Sequence, residues 1–135
     1  MTVYKKYCEQ LDKREEAKES HVKMIMQEFM PYFANHLGCT EDKLNLNLEL
    51  WRSGPWPSNM QTTYKGMLDL KIDSGKYSTY VSLKDIFFKF DLLAEYEHQI
   101  IITYCGVSGS LRGDSESLFR HMYHMFEQGI FAPMG

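Results

Sequence analysis

Between Leu44 and Leu50 every second residue is a leucine, with Asn45, Asn47 and Glu49 set between them. Side chains on a strand alternate between faces, so this stretch makes one dry face and one wet face. The chain before it follows another rule. Val3, Tyr7, Leu11, Val22, Ile25, Met26, Phe29, Phe33 and Leu37 recur at three- and four-residue steps, the period of a helix. A chain that changes period in this way has to lay helix on sheet to hide both apolar surfaces, which is a layered α+β arrangement.

More alternation follows. Tyr64, Gly66, Leu68, Leu70 and Ile72 interleave with Lys65, Met67, Asp69 and Lys71. Asp73-Ser74-Gly75-Lys76 reads as a turn with the glycine at positive φ. From Tyr77 to Phe90 the strand resumes, but its apolar phase slips between Leu83 and Ile86. One extra residue near Lys84-Asp85 accounts for the slip, which predicts a bulge and a bend. The last strand is expected over Gln99 to Val107. Its run Ile100-Ile101-Ile102 suggests an interior strand covered on both faces. Short links favour antiparallel pairing.

The helix boundaries are also marked. Pro31 predicts a kink near Phe29 or a new helix starting there. Gly38 supplies a left-handed stop. The charged run from Asp12 to Glu19 reads as solvated turns of one continuous helix, with Glu15–Lys18 and Glu19–Lys23 attracting. A closing helix is expected over Ser115 to Gln128, capped by Asp114 or Ser115, with Glu116 in its first turn and Gly129 as its end. The whole is expected to be a single domain, residues 1–135: a long N-terminal helix, a curved four-stranded antiparallel meander and a C-terminal helix packed on the sheet.

Composition narrows the function classes. A net charge of −3 and a pI near 5.9 give no basic footprint for nucleic acid. No stretch approaches the ~20 apolar residues that span a bilayer. Cys8, Cys39 and Cys105 lie far apart, and no apolar run follows Lys5-Lys6, so free thiols in a reducing cytoplasm are expected. No cofactor motif is present.

Each chemical motif has a plainer structural account. His121 and His124 stand one helical turn apart, but zinc needs three or four ligands, and His21, His36 and His98 are distant in sequence. The glycine-rich stretch Gly106–Gly113 feeds a helix and could cradle an anion beside Arg112. It lacks a P-loop ending, and Asp114 and Glu116 put negative charge where an anion would sit. Arg112-Gly113-Asp114 matches an adhesion tripeptide, which helix capping by Asp114 already explains. Asp69 and Lys71, with Glu49, have the residue types of a metal-dependent nuclease, and alternation accounts for them as the wet face of a strand.

The segment Trp51 to Met60 stands out. It holds both tryptophans, and Gly54, Pro55 and Pro57 make it a loop. Trp and Arg are the residues most enriched in binding hot spots. Trp51, Arg52, Trp56 and Met60 are therefore the candidate partner-binding residues. A methionine-rich helix surface (Met24, Met26, Met30, Met122, Met125) adds adaptable contact area. The expectation is a small intracellular interaction protein, an inhibitor, immunity or adaptor protein that binds a larger protein; a homodimer is compatible with it. The alternative is a small-molecule-binding domain or enzyme, with Tyr64, Tyr80, His98 and Tyr104 converging in a pocket between sheet and helices.

Overall fold

The computed structural model describes residues 2–52, 62–94 and 97–131, with the side chains of 91–94 and 97–98 excepted. Helix α1 spans Val3–Leu37, a single 35-residue helix about 52 Å long at 1.5 Å per residue. Thr2 caps its start by accepting from the Lys5 backbone N–H. Gly38, at φ 78°, ends it as expected, donating to the Asn35 carbonyl while Cys39 donates to that of Ala34. Pro31 lies inside this one helix, so no new helix starts there. Pro31 and Gln27 are both exposed, so the carbonyl that proline leaves without a helical donor faces water.

A single 3₁₀ turn, Glu41–Lys43, leads into the sheet. Its strands are β1 (Leu44–Arg52), β2 (Thr63–Asp73), β3 (Ser78–Ala94), β4 (Glu97–Tyr104) and β5 (Val107–Ser110), antiparallel and in sequence order. Helix α2 follows at Glu116–Ile130. The fold is α+β as expected, with five strands rather than four. The unforeseen strand comes from splitting the glycine-rich stretch. Cys105 (φ 49°) and Gly106 (φ 81°) form a two-residue hairpin turn that pairs Tyr104 with Val107.

The bulge lies where the slipped alternation places it. Gly66 pairs with Ile86 and Leu68 with Leu83, so Met67 opposes both Lys84 and Asp85. Asp85 takes the left-handed conformation, φ 58°, which Asp tolerates better than most residues. The extra residue keeps Val81, Leu83, Ile86, Phe88 and Phe90 all on the core face.

Both helices lie on that face. Ile25, Phe29, Phe33 and Ala34 of α1 and Leu118, Phe119, Met122 and Phe126 of α2 pack over Leu46, Leu68, Phe88 and Ile102. Phe29 meets Phe88 edge-on at 5.1 Å, and Phe33 meets Phe119 in the same way at 5.1 Å. The other face is bare among the described residues. Ile101, expected to be covered, points there and is only half-buried, because helices cover one side of an antiparallel sheet. Gly129 does not stop α2, which runs one residue further. A Cβ there would lie 2.5 Å from Val81 Cγ1, so this glycine serves close helix–sheet packing.

Candidate functional site

The open face of the sheet is built from the odd-numbered residues of β1 and β2 and their partners across the bulge. Register aligns Glu49, Lys65, Phe87, Thr103 and Ser108 in one row across all five strands. Trp51 sits at the end of β1 at a second irregularity. Leu50 pairs with Tyr64 and Arg52 with Thr63, which leaves Trp51 as the extra residue. A bulge re-aims its side chain and ends pairing there.

Trp51 is 46% exposed, yet it is held in place. Its ring meets Phe87 at 5.7 Å and 63°. Lys65 Nζ stands 4.9 Å from the ring centre, over its face. The same ammonium lies 3.2 Å from Asp85 Oδ1. The bulge at Asp85 thus fixes Lys65, and Lys65 with Phe87 fixes the indole. Beside it runs a groove of about 470 Å³ lined by Asn47, Glu49, Lys65, Met67, Lys84 and Asp85. Two acids and two lysines on the groove, with a methionine between them, suit a surface of mixed charge.

Of the expected partner-binding residues, Trp51 and Arg52 are exposed at the sheet's end; Trp56 and Met60 lie outside the described residues. Lys65, Asp85 and Phe87 were not foreseen as part of this site. Their signal was the phase slip at Lys84-Asp85, which fixes which β3 residue stands beside Lys65. The methionines are corrected: Met30 and Met122 are buried, and Met24, Met26 and Met125 pack half-buried against the core. Met30 and Met122 therefore belong to the interior, and the other three are shared between core and surface.

Of the residues expected to converge in a pocket, Tyr80 stands apart from the two other described side chains. Tyr64 and Tyr104 are buried in the core, and Tyr80 stands exposed on the open face; the His98 side chain lies outside the described ones. Tyr64 O–H is hydrogen-bonded to His21 Nδ1 at 2.8 Å, and burial pushes its phenol up to about 12. The His21 ring stacks on Phe90 at 4.5 Å.

The other motifs resolve locally. Arg112 reaches Glu28 of α1 at 2.6 Å, so its charge is engaged within the fold. Asp69 accepts from the Ser82 hydroxyl across the strand pair. His121 faces Tyr104 at 5.7 Å, while His124 lies 3.0 Å from Gln128. Among the described residues no three His, Cys, Asp or Glu side chains cluster as metal ligands, and no helix is long and apolar enough to cross a membrane. A second concavity of about 460 Å³ opens between the helices, with Tyr32, His36, Ser115 and Tyr123 on its walls. No known family, curated protein or solved structure matches the chain.

Proposed function

We propose that this protein is a small binding module that docks a larger protein through the open face of its sheet, with Trp51 as anchor, and so inhibits, neutralises or adapts that partner. The observation that carries this reading is the arrangement around Trp51. A large aromatic surface is left in water but braced by Phe87 and by the Lys65–Asp85 pair. An anchor already held in its binding geometry loses little entropy on docking. Tryptophan is among the side chains most enriched in hot spots. The burial of Tyr64 and Tyr104 in the core also supports it, since the alternative reading needs these side chains on the walls of a ligand chamber.

The experiment is affinity capture from the native cell with three forms of the chain: wild type, Trp51→Ala, and Tyr77→Ala as a control in the β2–β3 turn. A protein retained by wild type and Tyr77→Ala, and lost by a well-folded Trp51→Ala, is the expected result. Equal retention on all three removes the open face from consideration.

A further inference from the structure

Helix α2 starts without a side-chain cap. Ser115 holds the N-cap position at φ −116° and ψ −1°, but its hydroxyl bonds no backbone N–H. Asp114, the other expected cap, makes no side-chain hydrogen bond among the described residues. Phe119 is the first residue whose N–H finds a helical acceptor, the Ser115 carbonyl at 2.9 Å. The N–H groups of Glu116, Ser117 and Leu118 are left over, where a capping serine would ordinarily take one. Ser115 is nevertheless only 5% exposed. Among the described residues the sealed polar side-chain atoms without a partner are His121 Nε2 and Tyr123 Oη. The Ser115 hydroxyl also lacks a partner but is not sealed, so it opens on the concavity between the helices, which Ser115 lines.

At about 460 Å³ this concavity falls within the roughly 300–1,000 Å³ of small-molecule sites. Its walls are aromatic: Tyr32 and His36 of α1, Phe119 and Tyr123 of α2. Its other end is polar, and the charges there pull two ways. The unused N–H groups and the helix dipole favour an anion. The Asp114 carboxylate, exposed and unpaired among the described residues, favours a cation. Glu116 is engaged with Arg120 one turn along, so Asp114 is the acid left for a ligand. His36 Nδ1–H donates to the Tyr32 carbonyl at 2.9 Å, since a carbonyl only accepts. Nε2 of the neutral ring then remains as a second acceptor. A bare anion would meet Asp114, and a bare cation would meet the helix dipole. A ligand with both charges on neighbouring atoms answers both.

We propose that this concavity binds a free α-amino acid with an aromatic side chain. The carboxylate takes the Ser115 hydroxyl and the first N–H groups of α2, and so supplies the cap that the chain lacks. The ammonium lies against Asp114, with His36 Nε2 as its second acceptor. The ring packs among Tyr32, Phe119 and Tyr123. The site lies on the helical side of the sheet, away from Trp51. It does not rest on the role given to that residue, and Trp51→Ala leaves it unchanged.

Calorimetric titration of the full chain with L-phenylalanine tests this, and one saturable site per chain is expected. N-acetyl-L-phenylalanine lacks the ammonium and phenethylamine lacks the carboxylate. Each should bind about tenfold more weakly or worse, as loss of a charged hydrogen bond gives. Ser115→Ala should weaken L-phenylalanine several-fold with an unchanged melting temperature, because that hydroxyl bonds nothing in the fold. Asp114→Asn should weaken L-phenylalanine about tenfold and should not weaken the N-acetyl compound. In amide NMR spectra the Ser115 and Glu116 signals should shift on titration with L-phenylalanine. Absence of heat and of shifts at about 10 mM ligand would overturn the proposal. So would phenethylamine binding as tightly as L-phenylalanine, or full affinity in a well-folded Asp114→Asn.

Discussion

Gly66 lies in the middle of β2 on the core face, and replacing it by alanine tests the register of the whole sheet. Its φ is not positive, so alanine fits the backbone; the question is space. A Cβ there would lie 2.9 Å from Phe88 Cε2, 3.1 Å from Leu48 Cδ2 and 3.2 Å from Leu46 Cδ1. Comfortable carbon contacts are about 3.5–4.0 Å. Leucine tips can turn aside, but Phe88 is fully buried and braced edge-on against Phe29. Overpacking of this kind costs about 1–3 kcal/mol. Against it, alanine in place of glycine returns about 0.5–1 kcal/mol through a stiffer unfolded chain. The expected net loss is about 1–2 kcal/mol. At roughly 2.1 cal/mol/K of unfolding entropy per residue, that lowers Tm by about 4–7 °C for this chain. Thermal and urea unfolding followed by circular dichroism would measure it. Adding Phe88→Leu should make the alanine nearly neutral when measured in that background, because the ring edge is what it strikes. A Tm equal to or above wild type for Gly66→Ala alone would refute the packing of Phe88 of β3 and Leu46 and Leu48 of β1 around Gly66.

Two further predictions concern the core. Phe126→Ala should cost about 3–5 kcal/mol in urea unfolding, since its ring is buried between α2, Phe33 and the sheet; a neutral effect would mean that α2 is not seated there. Stability should also fall in alkali: the Tyr64 phenol ionises near ~10 when unfolded and about 12 when folded, so its contribution is complete below pH ~10 and is lost as pH rises toward 12. Tyr64→Phe should flatten that decline, and an unaltered pH profile would count against its burial.

Much of the fold could be read from side-chain period. The alternation of Leu44 to Leu50 and the slip at Lys84-Asp85 are local consequences of one covered face, so they survive in a single sequence. What escaped depends on contacts between distant residues. Gly129 reads as a helix stop until Val81 is placed beneath it. Pro31 leaves a new helix start open until its exposed place inside α1 is known. Cys105-Gly106 is an uncommon pair for a tight hairpin, so β5 was hidden in a run of glycines and serines. The site was half legible. Trp51 stood out by residue type, but Lys65, Asp85 and Phe87 reach it only through strand register.

The proposed role of the braced Trp51 ring is to anchor a protein partner. Titration calorimetry of the captured partner with purified wild type and Trp51→Ala tests it most directly, with urea unfolding run on both forms. Trp51→Ala should bind more weakly by about 2 kcal/mol or more, roughly thirty-fold in Kd, as hot-spot truncations give. Its stability should change by no more than about 1 kcal/mol, because the ring is half exposed. Equal affinity for both forms, or a loss of binding that only follows a loss of folding, would contradict it.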